Sequence, residues 1–285
     1  MRIPILICLS LLAAPLAAQS APAPIDAAAS LLASADAHYA NRANNAQGAR
    51  ANPAEIDAAI ADYRAALKLS PDAIPVRWRL QLALFFRAVY CGESNEGRKK
   101  ILGDARAIGD VAVAKLEAPL KGKPAAARLA VLRSVPEAAS LYLWNAVVWG
   151  EWALAYGKMA AAHQGAAAKI RDLSQTVIDL DPALEEGAGY RVLGRLHHQS
   201  PSIPFVTGWV NHKLAVPLLR KALAAGPANR VNQFFLADAL LDQDAAARKE
   251  AAAILHRCAT EAPRPLLLIE DSEYASRCRT LLAGQ

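Results

Sequence analysis

The chain has 285 residues, is 54% hydrophobic, 20% charged and only 6% aromatic, and carries a formal net charge of +6. Much of the apolar fraction is Ala, the best helix former, so the composition favours an all-α protein. Lys and Arg are spread among Asp and Glu, and a solvated helix face explains the single basic cluster at residues 98–100. We therefore expect no nucleic-acid partner.

The first 18 residues have the pattern of a secretory signal peptide. A basic residue precedes an apolar run at residues 3–12, and a small-residue stretch at 13–18 resembles a signal-peptidase site. The alternative, a membrane anchor, would need roughly 20 apolar residues. We expect cleavage after Ala18, a periplasmic or secreted protein, and no membrane span in the mature chain.

After this segment, residues 19–24 are predicted to form a short disordered lead and residues 25–285 a single helical-repeat domain. Helical periodicity begins near Ile25. Asn52 and Pro53 start a helix, because Asn caps a helix and Pro suits its first position. Start and stop signals predict about eleven helices in all. Among them are helices at residues 53–69, 97–118, 136–162, 245–260 and 265–282.

Three helix turns share a pattern that indicates a repeat. Each follows a helix end with Pro, then has a large aromatic residue seven or eight positions later and a small residue twelve positions later. A small residue opposite a large one lets two helices cross closely. The three sets are Pro71, Trp78 and Ala83; Pro182, Tyr190 and Gly194; Pro227, Phe235 and Ala239.

The pattern predicts an all-α fold, namely an α-α superhelix of irregular tetratricopeptide-like helical hairpins. The ordinary period of that repeat is about 34 residues. Here Pro182 and Pro227 are 45 residues apart, and Pro71 and Pro182 are 111 residues apart. Inserts between the hairpins would account for the extra length. The alternative is an Ala-rich helical bundle without repeats.

The central part of the chain resembles a known family. The residues that carry the resemblance are LYLWNAVVWGEWALAYG at 141–157, LDP at 180–182, GYRVLGRL at 189–196, and Pro201, Pro204 and Gly208. This combination is similar to the T-component family of tripartite (TRAP-type) transporters and to related exported tetratricopeptide-like proteins. The resemblance implies a periplasmic α-α superhelical protein without catalytic activity, a substrate-binding subunit as partner, and an internal pore or cavity.

The aromatic helix within this region supplies the first candidate binding site. One of its faces carries, at positions i, i+4, i+7 and i+11, the residues Asn145, Trp149, Trp152 and Tyr156. One interpretation is a cavity that binds an apolar or ring-bearing small molecule. The other is that these side chains fill gaps in an Ala-rich core.

The insert at residues 199–210 (QSPSIPFVTGWV) supplies the second candidate. Its large apolar residues are Phe205 and Trp209. Inserts between helical repeats often map to the binding face, which predicts a contact with a ligand or partner here. Alternatively, the insert folds back and caps the core of the repeats.

Cysteine and histidine positions predict one covalent link and no metal site. Cys258 and Cys278 fall on two successive predicted helices, and an exported protein is in an oxidising compartment, so they are a candidate disulfide. Cys91 would then be a free thiol. No histidine or cysteine spacing matches a zinc site, and no cofactor is expected. Two acidic residues, Glu185 and Glu186, are expected to stabilise the start of a helix.

The leading hypothesis is a non-enzymatic periplasmic helical-repeat protein that mediates protein–protein interaction, with an accessory role in solute transport and a substrate-binding subunit as a candidate partner. The second is a carrier of an apolar or ring-bearing small molecule. The third is an all-helical envelope hydrolase, which would need two carboxylates facing one cleft. The sequence has none of the HExxH, GxSxG, P-loop or dinucleotide motifs.

Overall fold

The protein is all-α, with stacked helical hairpins, as the composition and repeat pattern predict. The computed structural model describes residues 24–204 and 207–284. Within those ranges it has thirteen α-helices and three short 3-10 helices. The α-helices are α1 (Pro24–Ala40), α2 (Pro53–Leu69), α3 (Ile74–Tyr90), α4 (Asn95–Glu117), α5 (Ala125–Arg133), α6 (Ala138–Tyr156), α7 (Lys158–His163), α8 (Ala166–Leu180), α9 (Leu184–Gln199), α10 (Ala215–Ala225), α11 (Arg230–Leu241), α12 (Ala245–Thr260) and α13 (Leu268–Ala283). The 3-10 helices are Ala118–Leu120, His212–Leu214 and Pro265–Leu267.

The predicted signal peptide, residues 1–18, lies outside the described residues, as does the predicted lead except for its last residue. That residue, Pro24, is the first residue of α1. Among the helices that the structure describes, none is both long and apolar enough to cross a bilayer.

Local signals place most helix ends correctly. The side chain of Asn52 accepts a hydrogen bond from the Ala54 amide at 2.9 Å, and Pro53 is the first residue of α2, which confirms the predicted cap. Thirteen helices replace the predicted eleven for two reasons. The predicted helix at 136–162 is interrupted at Gly157, where φ is +88°, so it divides into α6 and α7. The short helix α5 was not predicted at all.

The hairpins form two layers of unequal curvature. Within one layer each helix contacts the next, in the order α3, α6, α9, α11 and α13. The other layer consists of α2, α4, α8, α10 and α12, which pack on the first layer and, across the described chain, have no extensive contacts with one another. Neighbours on the concave side of a curved array lie closer than those on the convex side. The first set is therefore the inner layer.

The two ends of the inner layer meet. Ile269 of α13 is fully buried in the same core cluster as Phe86 and Tyr90 of α3. Arg42, in the loop after α1, donates hydrogen bonds to Glu270 of α13. These contacts link the last inner helix to the first, and we call the resulting arrangement of the five inner helices the ring.

The three small residues of the repeat pattern are buried. Gly194 of α9 lies so close to α10 that a Cβ atom added to it would be 2.8 Å from Cγ of Leu219. At the equivalent positions of the other two hairpins, Ala83 and Ala239 are buried. A larger side chain at these positions would push the two helices apart.

The predicted pair of cysteines is bonded in the structure. Cys258 of α12 and Cys278 of α13 form a disulfide with Cα atoms 6.1 Å apart, and both residues are fully buried. This bond ties the last inner helix to its outer neighbour. Cys91 is a buried free thiol, and its burial raises its pKa to about 11.

Candidate binding site in the ring interior

The predicted aromatic face of α6 belongs mostly to the core. Asn145, Trp149 and Trp152 are at most 5% exposed, which favours the interpretation that these side chains fill the core. Asn145 Nδ2 and Trp149 Nε1 donate to the same Asp110 oxygen, at 3.2 and 2.8 Å. Their role is to join α6 to α4, because the network satisfies buried polar groups on both helices.

The end of α6 differs from its middle. The guanidinium of Arg106 lies over the rings of Trp149 and Trp152, at 4.6 and 4.2 Å from their centroids, and so covers them. Tyr156 stacks on Trp152 with centroids 4.7 Å apart and is itself exposed. Of the four predicted residues on this face, Tyr156 alone is at the surface.

The insert after α9 folds back onto the repeats where the structure describes it. Trp209 is half-buried, with its ring 5.8 Å from that of His197 and 4.4 Å from the guanidinium of Arg171. Thr207 is buried and donates to the Pro201 carbonyl at 2.6 Å. For Trp209 this geometry favours the capping interpretation over a free binding face. Phe205 lies outside the described residues.

A different group of polar and aromatic side chains belongs to helices of the ring and of the first hairpin. We call it the interior set, and it comprises Tyr39, Tyr90, Trp144, Glu185, Arg191 and Tyr274. These residues come from five separate helices of the described chain, α1, α3, α6, α9 and α13. Some of them are linked by contacts: the Phe85 ring lies 5.5 Å from that of Trp144 and 6.1 Å from that of Tyr90, and Arg191 Nη1 donates to the Glu185 carbonyl at 3.4 Å.

The charges of several members of the interior set affect one another's pKa. Burial raises the pKa of Tyr90 in α3, and nearby Tyr274 of α13 raises it further. Burial likewise raises the pKa of Tyr274, while Arg191 of α9 lowers it. Burial also raises the pKa of Tyr39, which feels the charge of Glu185. Groups far apart in sequence therefore share one poorly solvated space.

Glu185 is the acidic member of the interior set. Its side chain is exposed to water, yet the surrounding protein removes enough solvation to raise its pKa. Its Oε1 accepts a hydrogen bond from Nε1 of Trp144 at 2.8 Å. The Trp144 ring in turn lies 5.5 Å from that of Phe85, so the carboxylate is at the edge of an aromatic pair.

An unusual backbone turn directs Glu185 into the ring. Glu185, Glu186 and Gly187 are consecutive left-handed residues, with φ of 44°, 61° and 78°. Each non-glycine residue in this conformation costs roughly 1–2 kcal/mol. The two glutamates therefore do not lie in a regular first helical turn. Regular helical backbone in α9 begins only after Gly187.

Contacts from later repeats hold this left-handed turn. Asn229 and Arg264 donate to the Glu186 carboxylate, at 2.5 and 2.9 Å, and Asn232 donates to the Glu186 carbonyl at 3.0 Å. At Gly187 an added Cβ would be 2.9 Å from that of Ala225. Because strained backbone persists only where its surroundings over-determine it, the turn is a candidate functional feature.

Little of this site can be predicted from sequence patterns. Trp144 lies in the aromatic helix that the sequence singled out, but it is not one of the four residues predicted on its binding face. Nothing in the local sequence distinguishes Glu185 from an ordinary acidic residue at a helix start. Within the described ranges, no group of three or more His, Cys, Asp or Glu side chains is arranged to hold a metal ion.

A scan of family models and a search of curated proteins found no match to this sequence. Two features of the chain are the candidate binding sites: the interior set, and the exposed end of α6, where Tyr156 lies.

Proposed function

We propose that this chain is a non-enzymatic periplasmic helical-repeat protein that mediates protein–protein interaction, as an accessory component of a solute transport system. The stacked hairpins support the interaction role, because such arrays present extended binding surfaces. The similarity of residues 141–208 to T components of TRAP-type transporters supports a substrate-binding subunit as the partner.

The observation that carries this proposal is a group of exposed large apolar side chains where α6 meets α7. Leu154 is 74% exposed, Met159 86% and Tyr156 41%. These three side chains lie within six residues, on either side of the break at Gly157. Single exposed apolar residues need no explanation, but a cluster of large ones is typical of a protein-interaction surface.

Photo-crosslinking tests this surface. A benzoylphenylalanine at Met159 should form a discrete adduct in periplasmic extract, whereas the same group at Leu266 should not. Leu266 is the matched control, because it is also apolar and 80% exposed but lies before α13, in a different part of the fold. Absence of any adduct at Met159, with a folded protein, would count against the proposal.

A second candidate function is a carrier for a small molecule held in the ring interior. The closure of the inner helices supports it, together with the aromatic and charged side chains of the interior set. The binding residues differ from those predicted, since Trp144 takes the place of Trp149 and Trp152. Binding would perturb the fluorescence of Trp144, which is half-buried beside Glu185.

Native mass spectrometry of the purified full chain tests the carrier function directly. A co-purified small molecule should be detected and should be absent after unfolding and refolding. Titration with N-phenyl-1-naphthylamine, an apolar fluorescent probe, provides an independent measurement. A chain that carries no molecule and does not respond to added compounds would contradict the carrier function.

A further inference from the structure

A cavity of about 360 Å³ lies near the end of the chain, away from the candidate sites described above. It is lined by the loop after α1, the first residue of α11, the end of α12 and one face of α13. Its volume is within the range of small-molecule sites, about 300–1,000 Å³. None of its lining residues belongs to the interior set or to the exposed end of α6.

Arg230, the first residue of α11, contributes a buried cation to this cavity. It is 2% exposed, and no carboxylate among the described residues forms an ion pair with it. Its Nη1 donates to the Asp271 carbonyl at 2.7 Å and its Nη2 donates to the Glu261 carbonyl. These carbonyls orient the guanidinium, but they carry no net charge, and Nε has no acceptor in the described chain. Arg230 therefore keeps its charge and some of its five N–H donors for an anion.

The environment of Arg230 differs from that of Arg77, which is also buried without a carboxylate partner. Arg77 lies outside the cavity, and all three of its guanidinium nitrogens donate to backbone carbonyls, those of Pro71 and Ile108. Its donors hold the turn before α3 and the neighbouring α4. Burial without an ion pair thus points to a ligand only at Arg230, where a cavity adjoins the cation.

One face of α13 adds a second cation and two hydroxyl groups. Ser272, Ser276 and Arg279 recur at positions i, i+4 and i+7, so they share that face and all line the cavity. Arg279 is exposed, donates from Nη1 to the Ala259 carbonyl at 3.3 Å, and forms no ion pair within the described chain. The hydroxyls of Ser272 and Ser276 donate to none of the described residues and can serve a ligand.

The loop after α1 supplies neutral donors. Gln47 and Arg50 exchange two backbone hydrogen bonds, at 2.9 and 3.1 Å, so Gly48 and Ala49 form the tip of a tight turn. The amides of these two residues donate to no acceptor in the described part of the chain. The carboxylate residue of the lining is Glu261, which is exposed and forms no ion pair with either arginine. The lining therefore keeps a net positive charge.

Two walls of the cavity are linked covalently. The disulfide between Cys258 and Cys278 joins α12 to α13, and each cysteine is next in sequence to a lining residue, Ala259 and Arg279 respectively. A rigid site loses less conformational entropy when a ligand binds. The donors on these two helices are thus held in place before any ligand enters.

We propose that this cavity binds a small phosphate monoester, with its phosphoryl group held by Arg230, Arg279 and the two serine hydroxyls. The donors around the cavity outnumber those that the two oxygens of a carboxylate accept well, whereas a phosphoryl group has three acceptor oxygens and a charge of about −1.5 to −2 at pH 7. The cavity is larger than a phosphate ion, so it has room for a small organic group attached to the phosphate. This site goes beyond the proposed function.

Isothermal titration of the full chain with four probes tests the proposal. Glycerol 3-phosphate, glycerate and glycerol have the same three-carbon body and differ in charge, while inorganic phosphate lacks that body. In about 0.15 M salt, which screens non-specific attraction, glycerol 3-phosphate should bind about tenfold more tightly than glycerate. It should also bind more tightly than inorganic phosphate, which leaves part of the cavity unfilled, and glycerol should not bind.

Three variants locate the binding. Arg279→Gln should weaken binding of glycerol 3-phosphate about tenfold, because one of the two cations is lost. Arg277→Gln is the matched control, since it removes the same charge from the same helix but lies outside the lining. Ser276→Leu should abolish binding without a change in charge, because the larger side chain occupies the cavity. Ser276 and Arg279 are exposed, so both variants should fold, which circular dichroism would check.

The possible results separate this site from the other proposals. Equal affinity for glycerol 3-phosphate and glycerate, or an Arg279→Gln variant that binds as tightly as the unmodified chain, would overturn the phosphate site. Inorganic phosphate that binds as tightly as glycerol 3-phosphate would contradict a monoester ligand. Such results leave the interaction surface and the carrier function unaffected, because those depend on crosslinking at Met159 and on a co-purified molecule.

Discussion

Nε and Nη2 of Arg42 both donate to one oxygen of Glu270, at 3.1 and 2.8 Å, although the two residues are 228 positions apart in the chain. Arg42 Nη2 also donates to the carbonyl of Leu266 at 2.6 Å, and the guanidinium lies 4.5 Å from the ring centroid of Tyr39. These contacts join the first hairpin to the last helix. They are the polar contacts that close the ring, and the packing of Ile269 in the same core cluster as residues of α3 is the apolar contact.

Replacing Arg42 should destabilise the protein strongly. Arg42→Met leaves the Glu270 carboxylate buried without its cation, and breaking a buried ion pair in this way costs about 3–5 kcal/mol. Urea denaturation monitored by circular dichroism would measure the free energy of unfolding. Arg220→Met is the matched control, since its pair with Glu250 is exposed and should contribute less than about 1 kcal/mol. Equal losses in the two variants would contradict the closure.

Two glycines on helices should respond to alanine in opposite directions. At Gly194 an added Cβ would be 2.8 Å from Leu219, so Gly194→Ala should destabilise by about 1–3 kcal/mol. At Gly150 an added Cβ would meet no atom within 4 Å, so Gly150→Ala should stabilise by about 0.5–1 kcal/mol through helix propensity. Thermal unfolding of both variants checks the pair. A stabilising Gly194→Ala would mean that α9 and α10 do not pack closely.

The disulfide between α12 and α13 should contribute to stability. Replacing Cys258 and Cys278 together by Ser should lower the free energy of unfolding by about 2–4 kcal/mol, because the unfolded chain gains freedom. A reducing agent should lower the stability of the unmodified chain but have no such effect on the double variant. If reduction lowers both equally, the bond between these two sulfurs is not the cause.

The ionisation of Glu185 should lower the free energy of unfolding as the pH rises, which is the opposite of the usual effect of a carboxylate. Desolvation raises the pKa of Glu185 in the folded state. The contribution of its protonated form to the free energy of unfolding is therefore fully present at low pH and is lost as the pH rises through the raised pKa. Glu185→Gln should therefore gain stability relative to the unmodified chain between about pH 4 and about pH 7. Urea denaturation at the two pH values measures the difference.

Glu117 is a control whose ionisation should change stability with pH in the opposite direction. The hydrogen bond from Arg128 lowers the pKa of Glu117, so its contribution is present at neutral pH and is lost as the pH falls. Glu117→Gln should thus be less stable than the unmodified chain at about pH 7, and that deficit should shrink towards about pH 4. The same direction for both variants would refute the assignment of Glu185 to a desolvated interior.

The two faces of α6 show where sequence reasoning about the site fails. Helical spacing correctly places Asn145, Trp149 and Trp152 on one face, but spacing does not reveal whether that face meets α4 or the ring interior. The more exposed Trp144 faces Glu185 on the other side. Which face is buried depends on the neighbouring helices, and their arrangement is not a local property.

The sequence by itself determined the all-α class, most helix ends, the small residues at close helix crossings and a candidate cysteine pair. These follow from short-range effects: helix propensity, capping by residues such as Asn52, and the restrictions that proline places on the backbone. The tertiary structure decided the closure between Arg42 and Glu270 and the left-handed turn at Glu185. Both depend on partners more than forty residues away, whose contacts outweigh the local preference of the chain.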